Sequence, residues 1–139
     1  MDNVNKLICY LLAIANFAKD IHYTCHGDVF YGKHLLADRI YNGLYDYIDQ
    51  LKEICLLGND ILPLPSGEYL ARAMNLLPAV DTSDKKNFQS MQKLLIDCLV
   101  LTQEMLTDNN TARGEVSLVD AISQDLQQKL GLVNRQVKE

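Results

Sequence analysis

Residues 34–53 read HLLADRIYNGLYDYIDQLKE, and four side chains in that run govern how the chain must be built. His34 and Asp38 are four residues apart, as are Asp49 and Glu53. On a helix, each pair sets two metal-ligating groups on one face. The midpoints of the pairs lie fifteen residues apart, roughly 22 Å along a straight helix at ~1.5 Å per residue. They cannot share an ion within one chain. A second copy running antiparallel across a two-fold axis would bring the His34/Asp38 end of one chain to the Asp49/Glu53 end of the other, and an isologous dimer would then carry two identical sites.

Outward from this run, apolar residues recur at spacings of three and four over four stretches, which predicts an all-α, four-helix single domain covering 1–139. The run itself belongs to a helix expected over 29–57, with Asp28 as its N-cap and Gly27 closing the helix before it. That first helix is expected over 3–25, with Val4, Leu7, Leu11, Ile14 and Ala18 forming a stripe that His22 continues. His22 is the fifth candidate ligand. Gly58-Asn59-Asp60 ends the second helix, and the connection holding Pro63, Pro65 and Pro78 should carry a short helix over 67–76. The third helix should start after Asp81 or Ser83 and reach 106, turning Phe88, Met91, Leu95, Cys98 and Leu101 inward. Asp108-Asn109-Asn110 breaks it. A fourth helix over 111–135 would bury Leu118, Ile122, Leu126, Leu130 and Val133.

With 139 residues, 48% hydrophobic and 22% charged, the chain can bury a core of its own. Net charge is −5, and no basic block exceeds Lys85-Lys86, so the sequence offers no patch for nucleic acid or a membrane surface. The apolar stretch 7–18 is too short to span a bilayer. Lys6 before it gives it some likeness to a signal-peptide core, but the helical pattern runs on into His22 and Asp2 weakens the basic start. Cys9, Cys25, Cys55 and Cys98 are far apart within apolar patterns, as expected of buried thiols in a reducing compartment. No Ser-His-Asp arrangement, glycine-rich phosphate loop or Gly-x-Ser-x-Gly turn is present, which removes hydrolase and nucleotide-binding readings.

A di-iron site inside a single bundle draws on two Glu-x-x-His motifs and further glutamates. None of the five glutamates here precedes a histidine by three residues, and all three histidines lie between 22 and 34. Imidazole and carboxylate donors without a paired thiolate suit Fe(II), Mn(II) or Zn(II). Taken singly, Asp38, Asp49 and Glu53 also read as solvated helix charges and His34 as a surface histidine. His22, Cys25 and His26 form a second, nested Zn or Cu possibility; a buried Cys25 and a His26 facing helix-end carbonyls is the preferred reading. Tyr31, Tyr41, Tyr45 and Tyr47 are expected to pack in the core or a dimer interface, with electron or radical quenching a lesser alternative that Tyr23 shares.

Together, His22, His34, Asp38, Asp49 and Glu53 resemble the ferroxidase signature of the Dps family, the mini-ferritins first described as DNA-binding proteins from starved cells. All five match in residue type and register. The family usually has an aromatic after its first histidine, and Tyr23 stands there; Gly27 falls at its first turn, and Gly67-Glu68-Tyr69-Leu70-Ala71 is similar to its short connecting helix. The resemblance is strong over 11–58 and weaker over 112–135. The family's Lys-x-Leu-Trp-Phe near the end of the last helix is replaced by Gln128-Lys129-Leu130-Gly131-Leu132, in a chain without tryptophan.

The resemblance implies a ferritin-like bundle, cytoplasmic, assembled as dodecamers, that binds and oxidises Fe(II) at an inter-subunit di-iron site and stores the ferric product. It further implies that Asp49 and Glu53 with the partner's His22 hold the tighter iron. Glu53 would bridge to a second position completed by the partner's His34 and Asp38. Hydrogen peroxide is the implied oxidant ahead of oxygen, with Zn or Mn as possible substitutes for Fe. Asp108, Glu115 and Asp120 flank the connection where the family lines an acidic three-fold pore; otherwise they are an exposed polar loop. DNA binding is not expected, because the first helix should begin almost at Met1-Asp2-Asn3 and only Arg135 and Lys138 decorate the other end, whereas duplex affinity comes mostly from neutralised phosphates. The alternative is a non-catalytic helical scaffold or binding protein with the same shape.

Overall fold

The computed structural model describes residues 2–108 and 110–138. Among them are six α-helices and one π-helical turn: α1 (Asp2–Thr24), α2 (Phe30–Tyr41), α3 (Leu44–Glu53), the π turn (Ile54–Gly58), α4 (Ser66–Leu76), α5 (Asp84–Thr107) and α6 (Arg113–Val137). Asn109 of the expected break after the third helix and the terminal Met1 lie outside the described residues. No described helix is long and apolar enough to cross a membrane.

α1 is the axis of the core. Every residue from 7 to 18 is buried except the half-buried Tyr10 and the exposed Asn16, because α1 packs against α2, α3, α4 and α5. A helix apolar on nearly all sides belongs inside a bundle. The expected stripe is thus part of a wider buried surface. The third and fourth helices turn the expected residues inward: Phe88, Met91, Leu95, Cys98 and Leu101 are buried, as are Ile122, Leu126 and Val133, while Leu118 and Leu130 are half-buried. Ser83 Oγ caps α5 by accepting from the Lys86 N–H at 3.3 Å, a bond worth about 1 kcal/mol. All four cysteines are buried and unpaired.

The second helix departs from expectation in three ways. It starts at Phe30 after Val29, and no side chain caps it, so Asp28 is not the N-cap. It breaks at Asn42-Gly43, where Gly43 takes φ +84°. A left-handed residue cannot continue a right-handed helix, and glycine adopts that conformation without a Cβ penalty. Its last turn, directly after Glu53, widens to a π-helix.

The ends of the helices fix the topology. At one end the loop after α1 meets the starts of α2 and α5: the His26 N–H donates to Asp84 Oδ2 at 3.0 Å, and Lys33 Nζ to the same oxygen at 2.9 Å. At the other end Asn59 Nδ2 donates to Glu115 Oε1 at 2.7 Å, beside a cavity of about 320 Å³ lined by Asp2, Met105, Asp108 and Glu115. α2 and α5 therefore start at the same end, and the connection between them runs the length of the bundle. α4 lies in that crossover against α1, held by Tyr69, whose buried hydroxyl donates to Asn5 Oδ1 at 2.7 Å and accepts from the Leu64 N–H at 3.1 Å.

Candidate metal centre

The last turns of α1 and the first turns of α2 bring His22 and His34 face to face, ring centroids 3.5 Å apart and planes inclined by 23°. Each ring is tied to the other's backbone. His22 Nδ1 lies 3.0 Å from the His34 carbonyl oxygen, and His34 Nδ1 lies 2.8 Å from the His22 carbonyl oxygen. A carbonyl oxygen can only accept, so both Nδ1 atoms carry protons. In the neutral rings both Nε2 atoms are then lone-pair donors, the arrangement that backbone carbonyls commonly impose on metal-binding histidines. Tyr23 stands edge-on to His22 at 5.0 Å and Phe30 lies 5.1 Å from His34.

Asp38 sits one turn beyond His34 on α2 and is half-buried, like both histidines; Asp49 and Glu53 lie one turn apart on the exposed face of α3. None of these three carboxylates has a hydrogen bond or ion pair with another described residue. One chain thus brings the two histidines together and leaves the carboxylates apart. Among the described residues no three His, Cys, Asp or Glu side chains gather into a set able to hold a metal ion. Large apolar side chains are exposed near these candidate residues in the sequence: Tyr23 (76%), Tyr31 (70%), Leu35 (46%) and Tyr45 (46%). Tyr31, Leu35 and Asp38 fall near one face of α2 by helical spacing, while Tyr45 lies beyond the break on α3. The core reading of the tyrosines holds for Tyr41 and Tyr47, which pack against the core, and fails for Tyr31 and Tyr45.

The nested His22/Cys25/His26 set does not form a site. Cys25 is buried with its Sγ directed at the carbonyls of His22 and Phe30, while His26 Nδ1 turns to Asp84 Oδ1 at 3.4 Å. Asp84 is almost buried, which alone would favour the neutral acid. The His26 N–H, the Lys33 hydrogen bond and the nearby positive charge together outweigh that and hold its carboxyl below the ordinary value. This cluster clamps the α1–α2 loop to α5, behind the histidine pair. Asp108 and Glu115 share the end cavity with Asp2, whereas Asp120 accepts from Gln124 on its own helix.

Sequence reasoning missed the two backbone bonds that set the histidine tautomers and the break within the ligand-bearing helix. The Asn42-Gly43 dipeptide was the available signal for the break, since Asn-Gly is a strong turn marker. It also missed Lys129 on α6, only 1% exposed, whose Nζ donates to the carbonyl oxygen of Asn42 at 2.8 Å.

The sequence matches no protein-family model and no curated protein. Solved structures do match. The Dps protein from Vibrio cholerae O1, described as a member of a broad superfamily of ferritin-like diiron-carboxylate proteins, superposes with a TM-score of 0.84 at 19% identity, covering 98% of this chain and 87% of that one. A variant of Dps1 from Mycobacterium smegmatis gives a TM-score of 0.80 at 12% identity, covering 98% of this chain and 93% of that one. The fold is that of the Dps proteins, a ferritin-like helical bundle.

Proposed function

We propose that this chain is a Dps-like mini-ferritin whose paired subunits bind Fe(II) as substrate between them, oxidise it and retain the ferric product. The observation that carries the reading is the His22–His34 pair, locked by reciprocal backbone bonds so that both Nε2 atoms are available. Three unpaired carboxylates at the register of the ferroxidase signature add to it, as does the exposed apolar surface beside them. Asp49 and Glu53 of one subunit would bind one iron with the partner's His22. Glu53 would reach a second, completed by the partner's His34 and Asp38.

Two ferrous ions held together can each give one electron to hydrogen peroxide. The O–O bond breaks, two protons are taken up, and two waters leave without release of a hydroxyl radical. The protein contributes proximity and fixed donors. Mn(II) and Zn(II) suit the same donor set and would compete. Four buried free cysteines fit a reducing compartment such as the cytoplasm.

Anaerobic Fe(II) titration followed by peroxide addition, with mass measured in parallel, tests the reading. Saturation near two Fe(II) per site and rapid oxidation are expected. Glu53→Ala should abolish the rapid phase with helicity unchanged, because the shared ligand is lost. Undiminished oxidation in that variant would refute the assignment, and a wild-type chain that binds no iron would leave a non-catalytic helical scaffold.

A further inference from the structure

Resting on that reading, we propose that Lys129 is a positioning residue of the metal centre: from α6 it holds the break at Asn42-Gly43 and so sets the offset between His34/Asp38 on α2 and Asp49/Glu53 on α3. In an unbroken helix Asp38 and Asp49, eleven residues apart, would lie within about 20° of one face at 3.6 residues per turn. Here Asn42 leaves the helical region with ψ 132° and Gly43 follows at φ +84°. The Asn42 N–H still closes α2 onto the Asp38 carbonyl at 3.0 Å, and the Gly43 carbonyl opens α3 by accepting from the Tyr47 N–H at 3.2 Å. Two rigid segments therefore meet at two residues, and the dihedrals there decide where the carboxylates of α3 stand relative to the α2 pair.

α6 reaches this joint through Lys129, steadied by Asp125. Lys129 Nζ donates to the Asn42 carbonyl at 2.8 Å and pairs with Asp125 Oδ2 at 3.0 Å. Asp125 also stands near the Tyr47 hydroxyl on α3, whose pKa is raised by burial first and then by the Asp125 charge. The charged groups facing Lys129 are Asp125 on its own helix and Arg39 on α2. A buried ammonium is expensive to desolvate, and an apolar residue of similar size often stabilises a bundle as well or better. What Lys129 offers that an apolar side chain cannot is a directed donor to the carbonyl at the break. In a two-fold dimer, the α2 pair of each copy must meet the α3 pair of the other. One joint angle then has to satisfy both sites, within the few tenths of an ångström that metal ligation tolerates.

The test uses Co(II), a redox-inert probe whose visible absorption reports ligand geometry, on full-length wild type, Lys129→Met, Lys129→Arg and Asp125→Asn. Lys129→Met is expected to keep wild-type helicity and thermal stability, while its Co(II) Kd rises at least tenfold and its absorption bands shift. Lys129→Arg should recover part of both. Asp125→Asn, which leaves the lysine in place and carries the test if Lys129→Met does not fold, should shift the bands the same way by less. Wild-type affinity and spectrum in the folded Lys129→Met, or in Asp125→Asn when that variant carries the test, would overturn the proposal while leaving the iron-site reading intact. Failure of wild type to bind Co(II) would sink the reading itself, and this inference with it.

Discussion

Asp84 shows how one residue behind the candidate centre can tie stability to pH. Its side chain is 9% exposed and bonded to Lys33, itself 16% exposed, so neither charge is well served by solvent. Asp84→Asn would leave the Lys33 ammonium facing a neutral amide. A loss of about 1–3 kcal/mol at neutral pH is expected, the cost of stripping a buried charge of its partner's charge. The carboxyl is held below its ordinary value of 3.8. Its contribution is therefore fully present above that value and is lost as pH falls through the lower folded value, because the unfolded chain takes up the proton first. Urea unfolding at pH 7 should separate wild type from Asp84→Asn. The gap should shrink as the pH falls below about 4; a gap that persists unchanged into strong acid would show that packing, and not charge, is responsible.

At the scale of elements, two glycines make opposite predictions. Gly43 sits at φ +84°, and the position a Cβ would take has no neighbouring atom within 4 Å, so Gly43→Ala strains only the backbone and should cost about 1–2 kcal/mol. Gly131 lies inside α6 in open space with an ordinary φ. Gly131→Ala should therefore stabilise by about 0.5–1 kcal/mol through helix propensity. Chemical denaturation reads both, and equal signs would refute the account of the break. The contrast also explains what the sequence could disclose. Periodicity located α1, α4, α5 and α6 to within two residues at either end, because each buries a face whose spacing is visible one residue at a time. The ligand-bearing helix read as continuous because its apolar spacing runs through Asn42-Gly43 without interruption. The lysine that holds the joint comes from 87 residues away, and a cation inside an amphipathic pattern reads as surface. For the candidate site, the sequence offers the residue types and spacing of His22, His34, Asp38, Asp49 and Glu53, of which one chain brings only the two histidines together. The stacking of the two rings was not legible, since it depends on a loop that returns α2 against α1.

At the scale of the whole molecule, the chain exposes apolar groups on several faces, two of which bear on the proposal. Tyr31, Leu35 and Tyr45 flank the candidate ligands, and Leu70 and Met74 edge a groove between α4 and α1 that also involves Leu12 and Leu77. Scattered exposed apolar residues need no explanation, but several beside the candidate ligands fit the proposed surface that another copy covers. Covering it would complete the sites and withdraw Tyr31 and Leu35 from water, so assembly and iron chemistry should fail together. Size-exclusion chromatography with light scattering is expected to give a closed assembly many times the 15.7 kDa chain mass. Leu35→Glu places a charge at that contact without altering any candidate ligand. It should yield smaller species and at least a tenfold slower Fe(II) oxidation, with helicity retained. If oxidation stays fast in a species shown to be monomeric, each chain completes its own site and the two-fold arrangement is wrong.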